Sequence, residues 1–222
     1  MEHRWCKSVK NKIGLAIYDP RLLVVVQRKL RDFNIAFYPA SESERIGENT
    51  IIIVDKIGKD IIMSKIPSKS SLIIDVNPVD VDKAIGKAIL ASVGLGQVVK
   101  KMIIGIDFGK NIGYAIIADG ELLHYGSSPN LGYVLHKVLW FVDNIEYESL
   151  VLKIGSVSGR ESEALSLASK LLTLLPYNAK IEIIDEKNST SNKPKKFTYV
   201  KGDAKAALNI ALFSREGITI ER

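Results

Sequence analysis

The stretch Lys101–Ala118, KMIIGIDFGKNIGYAIIA, indicates the architecture of the C-terminal half of the chain. Its first part predicts a buried strand, 102–107, that ends on the carboxylate of Asp107. Two glycines then predict a turn into a second apolar strand, 112–118. An acid at the end of a core strand, followed by a glycine turn, is suited to hold a divalent metal ion or a phosphate. The alternative is an aspartate that only caps the glycine turn.

Composition allows one large domain or two small ones within the 222 residues. The net charge of +6 and the pI of about 9.2 permit nucleic-acid binding without indicating it. A single cysteine, Cys6, excludes an internal disulfide and a cysteine-based zinc site, and is typical of a reducing cytoplasm. No apolar run is long enough to span a bilayer, and the N-terminus lacks the core of a signal peptide, so we expect a cytoplasmic protein. Abundant isoleucine and lysine with few glutamines are typical of a thermophile.

Residues 1–96 are predicted to form a small parallel α/β domain of unknown role. Short apolar strands separated by helices or loops favour a parallel layer. The predicted strands are 12–19, 34–38, 50–55 and 71–76, and the predicted helices are 21–33 and 79–93. Three strands end on acids, Asp19, Asp55 and Asp75. Because open α/β sheets bind ligands at the carboxyl ends of their strands, these acids indicate either a site or ordinary caps of turns and helices.

Residues 101–222 are predicted to form a second domain, after a short linker at 95–100. Asp119-Gly120 stands between two strand patterns, which is typical of a hairpin with a type I′ turn. The predicted strands are 102–107, 112–118, 121–126, 149–154 and 180–186, and the predicted helices start near 129, 161 and 203. The order β-β-β-α-β-α-β-α predicts a mixed five-strand sheet, in which an antiparallel meander is followed by two parallel crossovers.

Four sequence blocks in this second domain carry a family resemblance. They are Ile104–Ala115, with Gly-x-Asp-x-Gly and Gly-x-Ala; Leu152–Glu161, a strand running into a glycine loop; Ile184–Thr190, with Asp-Glu-Lys-x-Ser-Thr; and Asp203–Leu208, with Asp-Ala-x-Ala-Ala. In this order they resemble the ribonuclease H-like superfamily, in particular its RuvC/YqgF branch of Holliday-junction resolvases and pre-16S rRNA nucleases. The resemblance covers about residues 101–214 and leaves residues 1–95 without a counterpart.

The resemblance implies phosphodiester hydrolysis with two divalent ions, Mg²⁺ or Mn²⁺, held by carboxylates. Carried over by position, Asp107 would bridge both ions, Glu186 or Asp185 would come from the fifth strand, and Asp203 from the last helix. These are the predicted metal ligands, and Asp107, Glu186 and Asp203 are the predicted catalytic residues. Each has a structural alternative, since Asp185 and Glu186 also fit solvated strand-end acids and Asp203 also fits a helix N-cap.

This chain departs from the resolvase pattern at two positions. RuvC-type enzymes carry a glutamate on the strand where this chain has Lys153 or Ile154, and a second acid where it has Ala206. YqgF-like proteins lack that strand glutamate as well, so they are the closer match. Lys187 replaces their motif arginine, which keeps the charge and loses the bidentate fork. The set of predicted acids is therefore small, which gives a non-catalytic module as the alternative to an enzyme.

The loop 187–205 combines six lysines with Phe197 and Tyr199. Lysines near a carboxylate–metal site attract phosphates, and aromatic rings stack on unpaired bases. A solvated loop whose aromatics pin it to the core is the alternative. Arg160 fits either a phosphate at a helix N-terminus or plain surface charge. The predicted nucleic-acid-binding residues are Lys110, Arg160, Lys187, Lys193, Lys195, Lys196 and Lys201.

The expected function is metal-dependent hydrolysis of structured or branched DNA or RNA, with a homodimer implied by the resolvase resemblance. A non-catalytic RNase H-like module that binds nucleic acid or protein is the main alternative. Residues 105–109, Gly-Ile-Asp-Phe-Gly, also resemble the start of the phosphate-binding hairpin in the actin and sugar-kinase group. That group needs two such units, with a second phosphate hairpin and an adenosine motif, and no second hairpin of that kind appears in the sequence.

Overall fold

The computed structural model describes residues 12–40, 50–63, 71–156, 161–185, 195–213 and 218–220. The chain divides into two compact units, Met1–Gln97 and Val98–Arg222. Both are mixtures of helix and strand, so the predicted α/β class is confirmed.

The first unit is built on a four-stranded parallel sheet in the order β2-β1-β3-β4. Its elements are β1 (Lys12–Ala16), α1 (Pro20–Asp32), β2 (Phe37–Pro39), β3 (Thr50–Val54), α2 (Lys56–Ile62), β4 (Leu72–Asp75) and α3 (Val81–Ser92). Every residue of β3 is buried, as expected for a central strand covered on both faces. The four described strands are all parallel, so this unit does not repeat the hairpin-built sheet of the second unit.

Helix α2 is the element of the first unit that the sequence pattern does not predict. It has only seven residues, and Gly58 lies inside it, which lowers helix propensity. The glycine is required because α2 crosses the end of β1, where a Cβ at position 58 would lie 1.8 Å from the carbonyl oxygen of Ala16.

The second unit is built on a six-stranded mixed sheet in the order β10-β9-β8-β5-β6-β7. Its elements are β5 (Val98–Phe108), β6 (Ile112–Ala118), β7 (Glu121–Ser128), α4 (Leu131–Asn144), β8 (Glu146–Ser156), α5 (Glu161–Leu174), β9 (Lys180–Asp185), a 3-10 turn (Lys195–Phe197), α6 (Gly202–Leu212) and β10 (Ile218–Ile220). Strands β5, β6 and β7 form the antiparallel meander, and β8 and β9 extend the sheet in parallel from β5. The predicted mixed α/β sheet, with its antiparallel meander and two parallel crossovers, is confirmed.

Two details differ from the sequence expectation. Strand β5 starts at Val98, inside the predicted linker, because Val98 and Val99 already pair with β8. The sheet also has a sixth strand, β10, which pairs antiparallel with β9. Three residues are too few to give a periodic signal, so β10 is invisible in the sequence pattern.

The hairpin between β6 and β7 has the geometry that Asp-Gly predicts. Asp119 and Gly120 have φ angles of 45° and 82°, as a type I′ turn requires. The Asp119 carboxylate also accepts hydrogen bonds from the backbone N–H groups of Lys100 and Lys101, at 3.0 and 2.9 Å. The turn is thereby fixed to the neighbouring strand β5.

Helices cover both faces of the second sheet. Helix α6 packs on one face against β5 and β6, and its core includes Ala115, Ile117, Ala204, Ala207 and Leu208. Helix α4 covers the other face, where its Phe141 stacks on His124 of β7. The side chain of Phe108, at the end of β5, meets α5 on that same second face. Side chains that alternate along β5 therefore belong to two different environments.

Candidate functional site

Asp107 and the start of α6 are brought together by a glycine. Asp107 pairs with Gly113 across β5 and β6, and such partners lie about 4.5–5.5 Å apart on one face of the sheet. A Cβ at position 113 would lie 2.1 Å from the carbonyl oxygen of Asp203. The backbone of Asp203 therefore rests directly on the strand partner of Asp107, although 96 residues separate the two acids in sequence.

Small residues along the rest of this contact allow α6 to lie close to the sheet. A Cβ at Gly105 would lie 2.1 Å from the carbonyl oxygen of Ala207 and 2.8 Å from the Ala211 side chain. Gly105 and Asp107 are two residues apart on β5, so they share the α6 face. Ala207 of the Asp-Ala-x-Ala-Ala block and Ala211 thus allow α6 to lay the backbone of Asp203 on Gly113, the strand partner of Asp107.

Asp203 is not the N-cap of α6. Lys201 holds that position and makes no side-chain capping hydrogen bond, while Asp203 lies in the first turn of the helix. An acid in the first turn is stabilised by the helix dipole without having to cap a backbone N–H group. The N-cap interpretation of Asp203 was therefore wrong.

The structure does not bring Asp185 to the face that carries Asp107. Gly105 is in register with Lys153 of β8, and Lys153 is in register with Glu182 of β9, so these three residues share the α6 face. Asp185 is three residues beyond Glu182, and strand alternation turns its side chain to the opposite face. Glu186, the other predicted acid of this strand, lies outside the described residues.

Asp107 and Asp203 are the two predicted acids whose backbones lie on adjoining elements of the second unit. Within the described parts of the chain, no group of three or more His, Cys, Asp or Glu side chains is arranged to hold a metal ion. Two carboxylates fit a single Mg²⁺, which usually takes one or two from the protein and completes its shell with water and substrate phosphate. Two acids are therefore enough in number for one Mg²⁺, and a second ion needs a further acid.

Lys153 stands on the same face of the sheet and has a structural role. Its ammonium donates a 2.6 Å hydrogen bond to the carbonyl oxygen of Phe213, just past the end of α6. It also lies 3.3 Å from a carboxylate oxygen of Glu182, and both side chains are nearly buried. A cation at a helix C-terminus complements the partial negative charge there. Lys153 thus anchors α6 to β8 and β9.

The predicted nucleic-acid-binding lysines have different environments. Lys110, in the turn after β5, and Lys201, before α6, are exposed. Lys196 is instead held by the hairpin, since it pairs with Glu121 at 3.0 Å and donates to the carbonyl oxygen of Gly120 at 3.1 Å. Lys195 begins the 3-10 turn. Arg160, Lys187 and Lys193 lie outside the described residues.

The two aromatic residues of the lysine-rich segment also differ from each other. Phe197 is buried in the α6 core and belongs to the packing of the sheet. Tyr199 is half-buried, and its ring lies 6.2 Å from that of Tyr125 on β7. The aromatics therefore fix this segment to the core, as the structural alternative predicts.

A buried polar pair that the sequence did not single out lies on the opposite face, under α4. The Tyr114 hydroxyl is 3.1 Å from Nε2 of His124, and the His124 ring stacks on Phe141. Burial and, second, the ammonium of Lys137 lower the pKa of His124 to about 3. Burial also raises the pKa of Tyr114. Both groups are therefore neutral near pH 7. The sequence signal that could have found this pair is strand alternation, which places positions 114 and 116 of β6 and position 124 of β7 on one face of the sheet.

The strand-end acids of the first unit are structural. Asp19 caps α1 by accepting from the N–H groups of Arg21 and Leu22. The buried Asp55 carboxylate accepts from the N–H groups of Tyr18, Asp19 and Gly58 at 2.7–2.8 Å. Asp75 pairs with Lys59 at 2.8 Å. The capping alternative is confirmed for Asp19 and Asp55, and the Asp55 carboxylate also joins the segment after β1 to the start of α2.

Comparisons with known proteins add little to this geometry. No protein-family model matches the sequence, and no curated protein matches it. A solved structure of an Argonaute from Aquifex aeolicus matches 80% of this chain at 13% identity and a TM-score of 0.28, and 36% of that chain is covered. A TM-score this low is not evidence of a shared fold. The description of the second unit as a mixed α/β sheet therefore rests on its own strand order. No helix among the described residues is long and apolar enough to cross a membrane.

Proposed function

We propose that the second unit is a Mg²⁺-dependent nuclease that hydrolyses phosphodiester bonds in structured DNA or RNA, in the manner of RuvC-like and YqgF-like proteins. The observation that carries the proposal is the contact of Asp203 with Gly113, the strand partner of Asp107. It joins the first and last of the four sequence blocks at one point of the sheet. Glu186 of the third block is the proposed third acid.

In this proposal Asp107 and Asp203 hold a Mg²⁺ ion, or Mn²⁺ in its place. The bound ion would polarise a phosphoryl oxygen and lower the pKa of a coordinated water. The exposed ammonium groups of Lys110 and Lys201 attract the phosphate backbone towards the two carboxylates. The close packing of α6 on Gly105 and Gly113 keeps the acids in place before substrate binds.

A non-catalytic RNase H-like module that binds nucleic acid or protein is the second candidate. It is favoured by the small donor set, since the described residues supply no third acid to the candidate site. Two metal ions in a hydrolytic site need more carboxylates than two. Binding of nucleic acid without cleavage would distinguish this candidate from the nuclease.

The test is cleavage of labelled four-way junction, single-stranded DNA and structured RNA with Mg²⁺ or Mn²⁺. We expect cleavage of at least one substrate by the wild-type chain, and its loss in Asp107→Asn and Asp203→Asn. Asp143→Asn, at an exposed position of α4, is the matched control because it removes the same charge outside the site. Cleavage that persists in Asp107→Asn would refute the assignment of the site.

A further inference from the structure

An open cavity of about 330 Å³ lies at the end of β5, on the face opposite Asp107. Its apolar lining comes from Phe108, Leu131 and Leu167. Its polar lining comes from α5, where Ser162, Ser166 and Lys170 follow one another at four-residue spacing and Glu163 lies beside them. None of these side chains belongs to the acids or lysines of the candidate metal site.

We propose that this cavity takes an unpaired nucleobase with an exocyclic amino group, in a strand whose phosphate lies at Asp107 and Asp203. The inference rests on the proposed nuclease function and names the part of the substrate that is recognised. The volume is at the lower end of the range of about 300–1,000 Å³ for small-molecule sites, which suits a single base with its sugar.

The position of Phe108 links the cavity to the metal site. Asp107 and Phe108 are consecutive residues, with Cα atoms about 3.8 Å apart, and alternation places their side chains on opposite faces of β5. A strand that crosses the end of β5 therefore meets the carboxylate on one side and the aromatic ring on the other. Unpaired bases commonly stack on aromatic side chains in this way.

The polar lining indicates which bases fit. The Glu163 carboxylate is an acceptor, and it matches the amino group of cytosine, adenine or guanine better than the carbonyl edge of thymine. The hydroxyls of Ser162 and Ser166 donate or accept and do not discriminate strongly. Lys170, at the far end of the same ridge of α5, is exposed and meets a neighbouring phosphate.

The experiment measures binding of the full chain to fluorescein-labelled single strands of deoxycytidine or deoxythymidine by anisotropy, with Ca²⁺ in place of Mg²⁺ so that the carboxylates hold a cation while cleavage is suppressed. We expect the cytidine strand to bind more tightly, and Glu163→Gln to reduce that preference. Phe108→Leu should weaken binding of the cytidine strand roughly five- to tenfold, the loss of one stacked base. Leu165→Ala, at an exposed position of α5 outside the cavity, is the control and should bind as the wild type does.

Each outcome bears on the inference separately from the nuclease proposal. Equal affinity for both strands, unchanged in Glu163→Gln and Phe108→Leu, would overturn the cavity assignment even if Mg²⁺-dependent cleavage is found. Absence of binding to either strand would overturn the cavity assignment too, and absence of both binding and cleavage would overturn the proposed function as well. Because Glu163 is exposed, Glu163→Gln is expected to fold even if Phe108→Leu does not.

Discussion

At the scale of single residues, the orientation of a strand-end acid decides which role it can have. Asp107, Asp185 and the strand-end acids of the first unit look alike in sequence, since each follows an apolar strand. In the structure these acids differ in the element that packs nearby. Helix α6 packs on the sheet beside Asp107, whereas Asp19 and Asp55 stand at the starts of α1 and α2 and cap them. Sequence pattern predicted the positions of these acids and could not predict their partners, because the partners come from elements distant in the chain.

Asp185→Asn tests the assignment of the two faces. Because Asp185 is turned away from Asp107, we expect the variant to keep cleavage activity within about twofold of the wild type. The measurement is the initial rate of cleavage in Mg²⁺. A loss as large as that of Asp107→Asn would show that Asp185 reaches the metal site after all.

The buried His124 predicts a dependence of stability on pH. Its native pKa of about 3 lies below its ordinary value of 6.5, so the unfolded chain takes up a proton first as the pH falls. The stability contributed by the neutral ring is complete above about pH 6.5 and is lost towards pH 3, at roughly 1.4 kcal/mol for each unit of pKa difference.

Urea unfolding at several pH values between 7 and 4 measures this effect. His124→Gln keeps a polar partner for the Tyr114 hydroxyl and has no ring to protonate, so its stability should fall less steeply with acid than that of the wild type. His136→Gln, at an exposed position of α4, is the matched control and should follow the wild-type curve. Parallel curves for all three proteins would contradict the buried neutral histidine.

At the scale of elements, the strands and long helices follow from periodicity, and the short elements do not. The apolar runs of β5, β6 and β7 and the Asp-Gly turn were sufficient to predict the meander. Helix α2 and strand β10 are short and depend on tertiary contacts, so local pattern gives no signal for them. The sequence shows a block of small residues in α6. The residues of β5 and β6 that this block contacts, Gly105 and Gly113, could be identified only from the structure.

The α6 contact predicts that two glycines are sensitive to a single methyl group. Gly105→Ala and Gly113→Ala each place a Cβ 2.1 Å from a backbone oxygen of α6, so each should destabilise the unit by about 1–3 kcal/mol. Gly113→Ala displaces Asp203 itself and should also reduce cleavage under conditions where the protein is fully folded. Chemical unfolding and cleavage rates measure the two effects, and a Gly113→Ala variant with wild-type stability would contradict the contact.

The pair of Lys153 and Glu182 predicts a second effect at the same scale. Lys153→Met leaves the carboxylate of Glu182 nearly buried without its cation, which should cost about 3–5 kcal/mol of folding free energy. The double variant Lys153→Met with Glu182→Met should regain much of that loss, because it buries no unpaired charge. A double-mutant cycle in urea measures the coupling, and purely additive losses would contradict the ion pair.

At the scale of the whole molecule, the two units differ in how much of their function the sequence indicates. The second unit carries four ordered motifs, and the structure joins two of them at the α6 contact. The first unit has a confirmed parallel α/β sheet, and its strand-end acids Asp19, Asp55 and Asp75 serve as caps or pair with lysine.

Because the second unit has its own core on both faces of its sheet, residues 98–222 should fold alone. We expect this fragment to unfold cooperatively and to retain metal-dependent cleavage, with weaker substrate binding if the first unit supplies part of the interface. Circular dichroism during heating and the cleavage assay measure these properties. A fragment that is unfolded, beside a folded full-length chain, would show that the units depend on each other.

The most direct test of the account is the rate of Mg²⁺-dependent cleavage in the wild type, Asp107→Asn, Asp203→Asn and the control Asp143→Asn, with unfolding curves to show that all four are folded. We predict wild-type rates for the control and a loss of at least about 100-fold in each site variant, since removing an essential site group commonly costs several kcal/mol of transition-state stabilisation. Equal rates in the wild type and folded Asp107→Asn would contradict the proposed site.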